Sequence, residues 1–235
     1  MDNKAPHTLL QSLRWAALAT AALWVIHFAL YFLQLNPAYF GIVPREPEGL
    51  LGLLSAPLVH ADIYHLLSNS GPIFVFMAAM FHFYRAASVK AMLWIYALTG
   101  IWVWMVGHPG SHIGASGLVY GFAAFIFFSG VFRWEIRSIA LALALSFFYG
   151  GMVWGVFPTE EHVSWESHLF GAVAGAVFAW YFRFVGRVER RRYSWEDTPD
   201  EEPGDEHAPW NYRQNWPGAR GVYVPHHDPG HQPRD

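Results

Sequence analysis

The apolar residues of this chain gather in blocks rather than in the one-sided stripes of helices that pack in water. Six runs stand out, at residues 15–35, 63–84, 91–107, 113–132, 139–157 and 168–182. A membrane span takes about 20 mostly apolar residues. The pattern therefore predicts an all-α, polytopic membrane protein with six transmembrane helices over residues 15–187. Residues 1–14 precede them as a cytoplasmic N-terminus. The last run is expected to continue past Arg183, whose long side chain can snorkel to the interface. The connection at residues 36–57 holds Pro37, Pro44, Pro47 and Pro57 together with Arg45, Glu46 and Glu48. A connection that long usually carries function, and residues 50–55 are expected to form a short helical or surface piece within it. Residues 188–235 are rich in Pro, Gly, Asp, Glu and His and lack any apolar period, which predicts a disordered tail. Its His207, His226, His227 and His231 are read as solvated.

Basic residues set the orientation of such a chain. Lys4 and Arg14 precede the first run, Arg85 and Lys90 join the second to the third, and Arg133 and Arg137 join the fourth to the fifth. Arg183, Arg187, Arg190, Arg191 and Arg192 close the sixth. The alternate connections contain only Arg45, and Glu160, Glu161 and Glu166 lie between runs five and six. Both termini are thus expected in the cytoplasm. The first run is as long as a full span, so it is not read as a cleavable signal peptide.

Composition narrows the chemistry. Of 235 residues, 54% are hydrophobic and only 14% charged, against about 25% charged in ordinary soluble domains. A net charge of −3 offers nothing to a nucleic-acid partner. There is no cysteine, which excludes disulfides, thiolate metal sites and cysteine nucleophiles. Tryptophans such as Trp94, Trp102 and Trp104 suit an interfacial belt, and His27, His82 and His108 are read as interfacial or packing residues.

Polar groups inside spans mark candidate sites. Run two opens with His60-Ala-Asp-Ile-Tyr-His65-Leu-Leu-Ser-Asn69, run four with Gly114-Ala-Ser116-Gly117, and run six with Ser167-His168-Leu-Phe-Gly171 leading to Gly175. All three runs enter from the outer face, so the three clusters share one depth. His65 and Asn69 are four apart and share a helix face, as do Ser116 and Tyr120. Gly117 with Gly121, and Gly171 with Gly175, form small-residue ridges that let two helices approach closely. Such a crossing would bring Ser116 Oγ to a ring nitrogen of His168, a nucleophile beside its base. Donors for a developing oxyanion are available from His65, Asn69 and the Ser116 N–H at a helix start. No acidic residue lies inside runs four or six, so the reading is a Ser–His dyad with Tyr120 packed on the imidazole. His60 is read as support for the loop. No metal or other cofactor is called for, and the zincin pattern His-Glu-x-x-His is absent. An α/β-hydrolase elbow would need glycine where Leu118 stands.

On these three motifs, in this order, the chain resembles the rhomboid intramembrane serine proteases of the six-helix bacterial type, over roughly residues 10–187. The resemblance implies hydrolysis of peptide bonds in or beside transmembrane segments of membrane proteins, in a bacterial inner membrane. It implies that Ser116 is nucleophile, His168 base, His65 and Asn69 oxyanion donors, and Tyr120 the ring stacked on the base. Gly114, Gly117, His60, Gly171 and Gly175 would support them. It also implies lateral substrate access past the fifth helix and residues 157–167. A Trp-Arg pair common in the first outer loop of relatives is missing around residues 49–54, and Ser167 replaces a common alanine. The alternative is a rhomboid-like protein that binds membrane clients without cutting them; such proteins usually lack the nucleophile or the base, and this chain keeps both.

Overall fold

The computed structural model describes residues 8–158 and 164–186. The expected tail at 188–235 lies outside the described residues, as do the tail histidines, residues 1–7 and 159–163. Among the described residues the secondary structure is helical, with one isolated antiparallel bridge between Ile42 and His112.

Helix α1 spans Leu9–Phe32. It starts earlier than its apolar run because Thr8 and Gln11 form a capping box, each side chain bonding the other's main-chain N–H. Its buried positions Ala16, Leu23 and Leu30 recur every seven residues, a narrow seam against the bundle that leaves the rest of the helix outward-facing. The Trp24 indole N–H on that helix donates to Ser70 Oγ at 2.9 Å.

The long first connection folds as expected into short helical pieces. Two 3-10 turns, Pro37–Phe40 and Pro47–Leu50, lead into a four-residue helix α2 at Gly52–Ser55 and a third 3-10 turn at Ala56–Leu58. The segment is fastened to residues 104–107. The Arg45 N–H donates to the Trp104 carbonyl and the Trp104 indole N–H to the Glu46 carbonyl. The Arg45 guanidinium donates to the Gly107 carbonyl at 3.0 Å, where a cation suits a helix C-terminus.

Helix α3 (Ile63–Phe83) is capped by Asp62, and Tyr84 alone turns the chain into α4 (Arg85–Val106). Residues 85–90 are therefore the first turns of α4 and not the loop that their two charges suggested; Ala86, Ala87 and Ser88 contain no helix breaker, and charge alone does not end a helix. Helix α5 (Ser116–Arg133) is the most buried of the long helices. It starts at Ser116, three residues later than its apolar run, because Gly114 adopts φ +110°, a conformation closed to most residues. Helix α6 (Ile136–Tyr149) continues as a 3-10 segment over Gly150–Val156. Helix α7 covers Trp165–Tyr181.

Among the described residues five segments are long and apolar enough to cross a membrane: Leu9–Phe32, Ile63–Phe83, Arg85–Val106, Ser116–Arg133 and Ile136–Val156. The sixth run forms α7, which at 17 residues falls just short of the length of the others. The protein is an all-helical integral membrane protein whose core lies between α3, α4, α5 and α7 around Phe76, Ile95, Phe125 and Ala174.

The tightest packing joins α5 to α7. A methyl group at Gly171 would overlap the Gly117 carbonyl, and one at Gly175 the Gly121 carbonyl. The glycines thus let backbone meet backbone. At the opposite end of these helices Arg133, 2% exposed, donates to the carbonyls of Phe182 at 3.0 Å and Val185 at 2.9 Å, and lies over the Tyr84 ring. The pair is held at both ends. Gly171→Ala is expected to cost about 1–3 kcal/mol, the usual toll of overpacking. Gly151→Ala, where nothing lies within 4 Å of the added carbon, should stay within about 0.5 kcal/mol. Thermal unfolding of both variants in one detergent would check the contrast.

Candidate active site

The starts of α3, α5 and α7 converge on one open cavity of about 1230 Å³, lined among others by His65, Asn69, Ser116, Tyr120 and His168. Three motifs that are far apart in sequence therefore share one volume.

Ser116 is the first residue of α5 and half-buried. The segment before it is pinned by main-chain bonds. The Gly114 N–H donates to the Ala56 carbonyl at 2.9 Å and the Ala115 N–H to His60 Nε2 at 3.3 Å. Ser116 lines the cavity, and its N–H is among the first-turn donors that the helix leaves unused.

His168 sits in the first turn of α7, 7% exposed. Its Nδ1–H donates to the Gly155 carbonyl at 2.8 Å. A carbonyl can only accept, so Nδ1 carries a proton, and in the neutral ring Nε2 then keeps its lone pair. The Tyr120 ring lies flat on the imidazole, with centroids 4.1 Å apart and planes 8° from parallel, and the Tyr120 hydroxyl donates to the Met152 carbonyl at 2.8 Å. Met152 and Gly155 both belong to the 3-10 segment after α6. Only glycine fits at 155, since a methyl group there would overlap the Tyr120 hydroxyl and stand 3.3 Å from His168 Nδ1.

On the other wall, Asp62 accepts from the main-chain N–H groups of Tyr64 and His65 at 2.8 and 2.9 Å. Those bonds hold its carboxyl below the ordinary range and fix the start of α3. The His65 ring lies directly on Gly114, where a methyl group would come within 2.6 Å of ring atoms. Asn69 is 5% exposed and donates one amide N–H to the His65 carbonyl at 2.8 Å, which leaves its second N–H for the cavity.

The sequence-derived set is thus brought together, with two differences. Ser116 Oγ and His168 line the same cavity, but the direct hydrogen bond expected between them is not formed in this structure; catalytic hydrogen bonds are often long before substrate binds. The imidazole also has a polar partner after all, the Gly155 carbonyl, where sequence reasoning found only Tyr120. A main-chain acceptor leaves no residue signature; the hint was a glycine at 155 at the end of an apolar run. His108, expected as an interfacial or packing residue, lines the same cavity with His112, Ser164 and Glu166. Among the described residues no group of three His, Asp or Glu is placed to hold a metal ion.

His60 is fully buried beneath the serine segment. Burial first, then the neighbouring His65 and His27, lowers its pKa from 6.5 to about 4. The neutral ring fits its task, because Nε2 must be unprotonated to accept from Ala115. Between pH 6.5 and about 4 the unfolded chain gains a proton here that the folded chain does not, so stability falls as the pH drops through that window. His60→Gln keeps an acceptor for the Ala115 N–H but does not titrate. Its melting temperature should fall less steeply than that of the wild type across that window, and equal slopes would refute the assignment.

The comparisons with known proteins identify a family rather than a site. The model of the rhomboid domain matches residues 47–184. The uncharacterised Mycobacterium tuberculosis protein Rv1337 is 39% identical over 161 residues, covering 64% of this chain and 66% of its own. The uncharacterised Mycobacterium leprae protein ML1171 is 35% identical over 164 residues, 64% of this chain and 63% of its own. The chain thus spans slightly less than two thirds of the length of these mycobacterial relatives. YdcA of Bacillus subtilis, whose name assigns it provisionally to the rhomboid proteases, is 30% identical over 158 residues, 59% of this chain and 69% of its own. With a rhomboid-domain match over more than half its length, and with the three motifs gathered at one cavity, this chain belongs to the rhomboid family.

Proposed function

We propose that this protein is an intramembrane serine endopeptidase that cuts peptide bonds in or next to transmembrane segments of other membrane proteins. The observation that carries the reading is the state of His168: Nδ1 bonded to a carbonyl, ring face covered by Tyr120, and Nε2 left free in a cavity shared with Ser116.

The chemistry follows from those positions. Ser116 Oγ attacks the scissile carbonyl carbon while His168 Nε2 takes its proton. The resulting imidazolium still donates from Nδ1 to Gly155, so the ring keeps its orientation through the proton transfer. The oxyanion of the tetrahedral intermediate is met by the Ser116 N–H, the free Asn69 N–H and the His65 ring. The positive end of the α5 dipole supports the same charge. Collapse breaks the C–N bond, and His168 returns the proton to the leaving amine. Water from the open cavity then attacks the acyl-serine by the same route in reverse. No added cofactor takes part.

The membrane arrangement belongs to the same proposal. Helix α7 serves as a sixth crossing, with the cavity toward the outer face and both termini in the cytoplasm of a bacterial inner membrane. That places Arg85, Arg133 and Arg183 on the inner side. Substrates would come laterally from the bilayer past α6, whose span is only 6% buried.

Cleavage of a model transmembrane substrate, in detergent and in liposomes, tests the proposal. Ser116→Ala and His168→Ala are expected to abolish it, chelators to leave it unchanged, and Asn69→Ala to lower kcat by about 10²–10³, the usual loss for one oxyanion donor. Undiminished cleavage by Ser116→Ala would sink the mechanism. Binding of a transmembrane client without cleavage by the wild type would favour the non-proteolytic reading instead.

A further inference from the structure

Glu166 is a carboxylate buried to 4% exposure in the first turn of α7. Burying a carboxylate is costly unless its oxygens are well partnered. Here Oε1 accepts twice from one residue across the cavity wall, from the His108 main-chain N–H at 3.1 Å and from the His108 ring Nδ1–H. A second link lies beside it. His112 Nε2–H donates to the His108 carbonyl at 2.9 Å, so its Nδ1 is an acceptor and takes the Ser164 hydroxyl at 2.6 Å. Ser164 Oγ in turn lies 2.6 Å from Ser167 Oγ. His108 and His112 belong to the segment 107–115 that delivers Ser116, whereas Ser164, Glu166 and Ser167 surround the turn that presents His168. The proposed chemistry uses none of these five side chains.

We infer that Glu166 and His108 form a positioning pair, which fixes the register between the segment ending in Ser116 and the turn of α7 carrying His168. This rests on the Ser–His reading above. The glycine crossing sets how close α5 and α7 come from Gly117 onward. The crosslink at the cavity adds a link between the segment before Ser116 and the turn that carries His168. Neither residue touches the reacting atoms. A carboxylate suits the task because one oxygen can take both His108 donors at once. The His108 side chain is itself 71% exposed, so a substitution there removes its bond to Glu166 and a tilted ring contact with Trp165 but little burial.

Four proteins decide the matter by steady-state cleavage of a transmembrane substrate, alongside thermal melts: the wild type, Glu166→Leu, His108→Leu and His108→Asn. Misplacing reacting groups by about 1 Å costs on the order of 10²-fold. The two leucine variants should therefore lose roughly tenfold to a hundredfold in kcat, with KM held within about twofold. Asn at 108 carries an N–H where the ring Nδ1–H was, and should recover most of the loss. The double leucine variant should be no worse than Glu166→Leu alone within about twofold, as for residues acting through one bond. If Glu166→Leu does not fold, the leucine and asparagine variants of the exposed His108 carry the test by themselves. Unchanged kcat in His108→Leu, a loss confined to KM, or a failure of His108→Asn to recover activity would each overturn the pair. If instead Ser116→Ala cleaves as the wild type does, the underlying reading fails and the pair with it, an outcome separate from the others.

Discussion

The backbone-to-backbone crossing of α5 and α7 is the constraint on which the rest of this structure depends. A serine hydroxyl and an imidazole reach one cavity here from two helices, and a wider separation would draw them apart. At Gly117, Gly121, Gly171 and Gly175 the helices touch through main-chain atoms. In a bilayer there is little hydrophobic gain from pressing apolar helices together, so close van der Waals contact is what such glycines supply. The cost is a crossing that tolerates no side chain. Arg133 secures the opposite end of the same pair by taking the α7 carbonyls of Phe182 and Val185, leaving the crossing little room to pivot.

Around that crossing three polar side chains fix the pieces of the site. Asp62 fixes the start of α3, His60 the segment before Ser116, and Gly155 the ring of His168. Each bond runs to the main chain on at least one side. That choice keeps the links fixed, because main-chain groups cannot swing away or change protonation state. It also ties the His168 ring to the 3-10 segment after α6, the least buried of the candidate spans. Whatever displaces that segment will disturb the Nδ1 bond and the Tyr120 stack together.

Much of this was legible in the sequence, and the reason differs from residue to residue. Ser116, His168, His65 and Asn69 could be found because each opens an apolar run, where polar groups are expensive and need a purpose. Gly171 and Gly175 could be found from their spacing alone. The start of α4 at Arg85 was missed because two charges looked like a loop, although nothing in residues 85–90 breaks a helix. Helix α6 was expected to run unbroken to residue 157; it tightens to 3-10 from Gly150, where two adjacent glycines weaken the α-helix. The Gly155 and Met152 carbonyls were invisible, since any residue carries a carbonyl. His108 was read as an interfacial ring and Glu166 as an outer-loop charge, because nothing in either residue type reveals that the two meet across 58 positions.

The central claim is that Ser116 is a nucleophile activated by His168, and covalent capture addresses it without assuming any substrate. The detergent-solubilised full chain would be treated with a fluorophosphonate, digested, and the modified peptide identified by mass spectrometry. The account requires a single adduct on Ser116 that disappears when His168 is replaced by Ala. An adduct on another serine, or modification of Ser116 that proceeds equally well without His168, would contradict it.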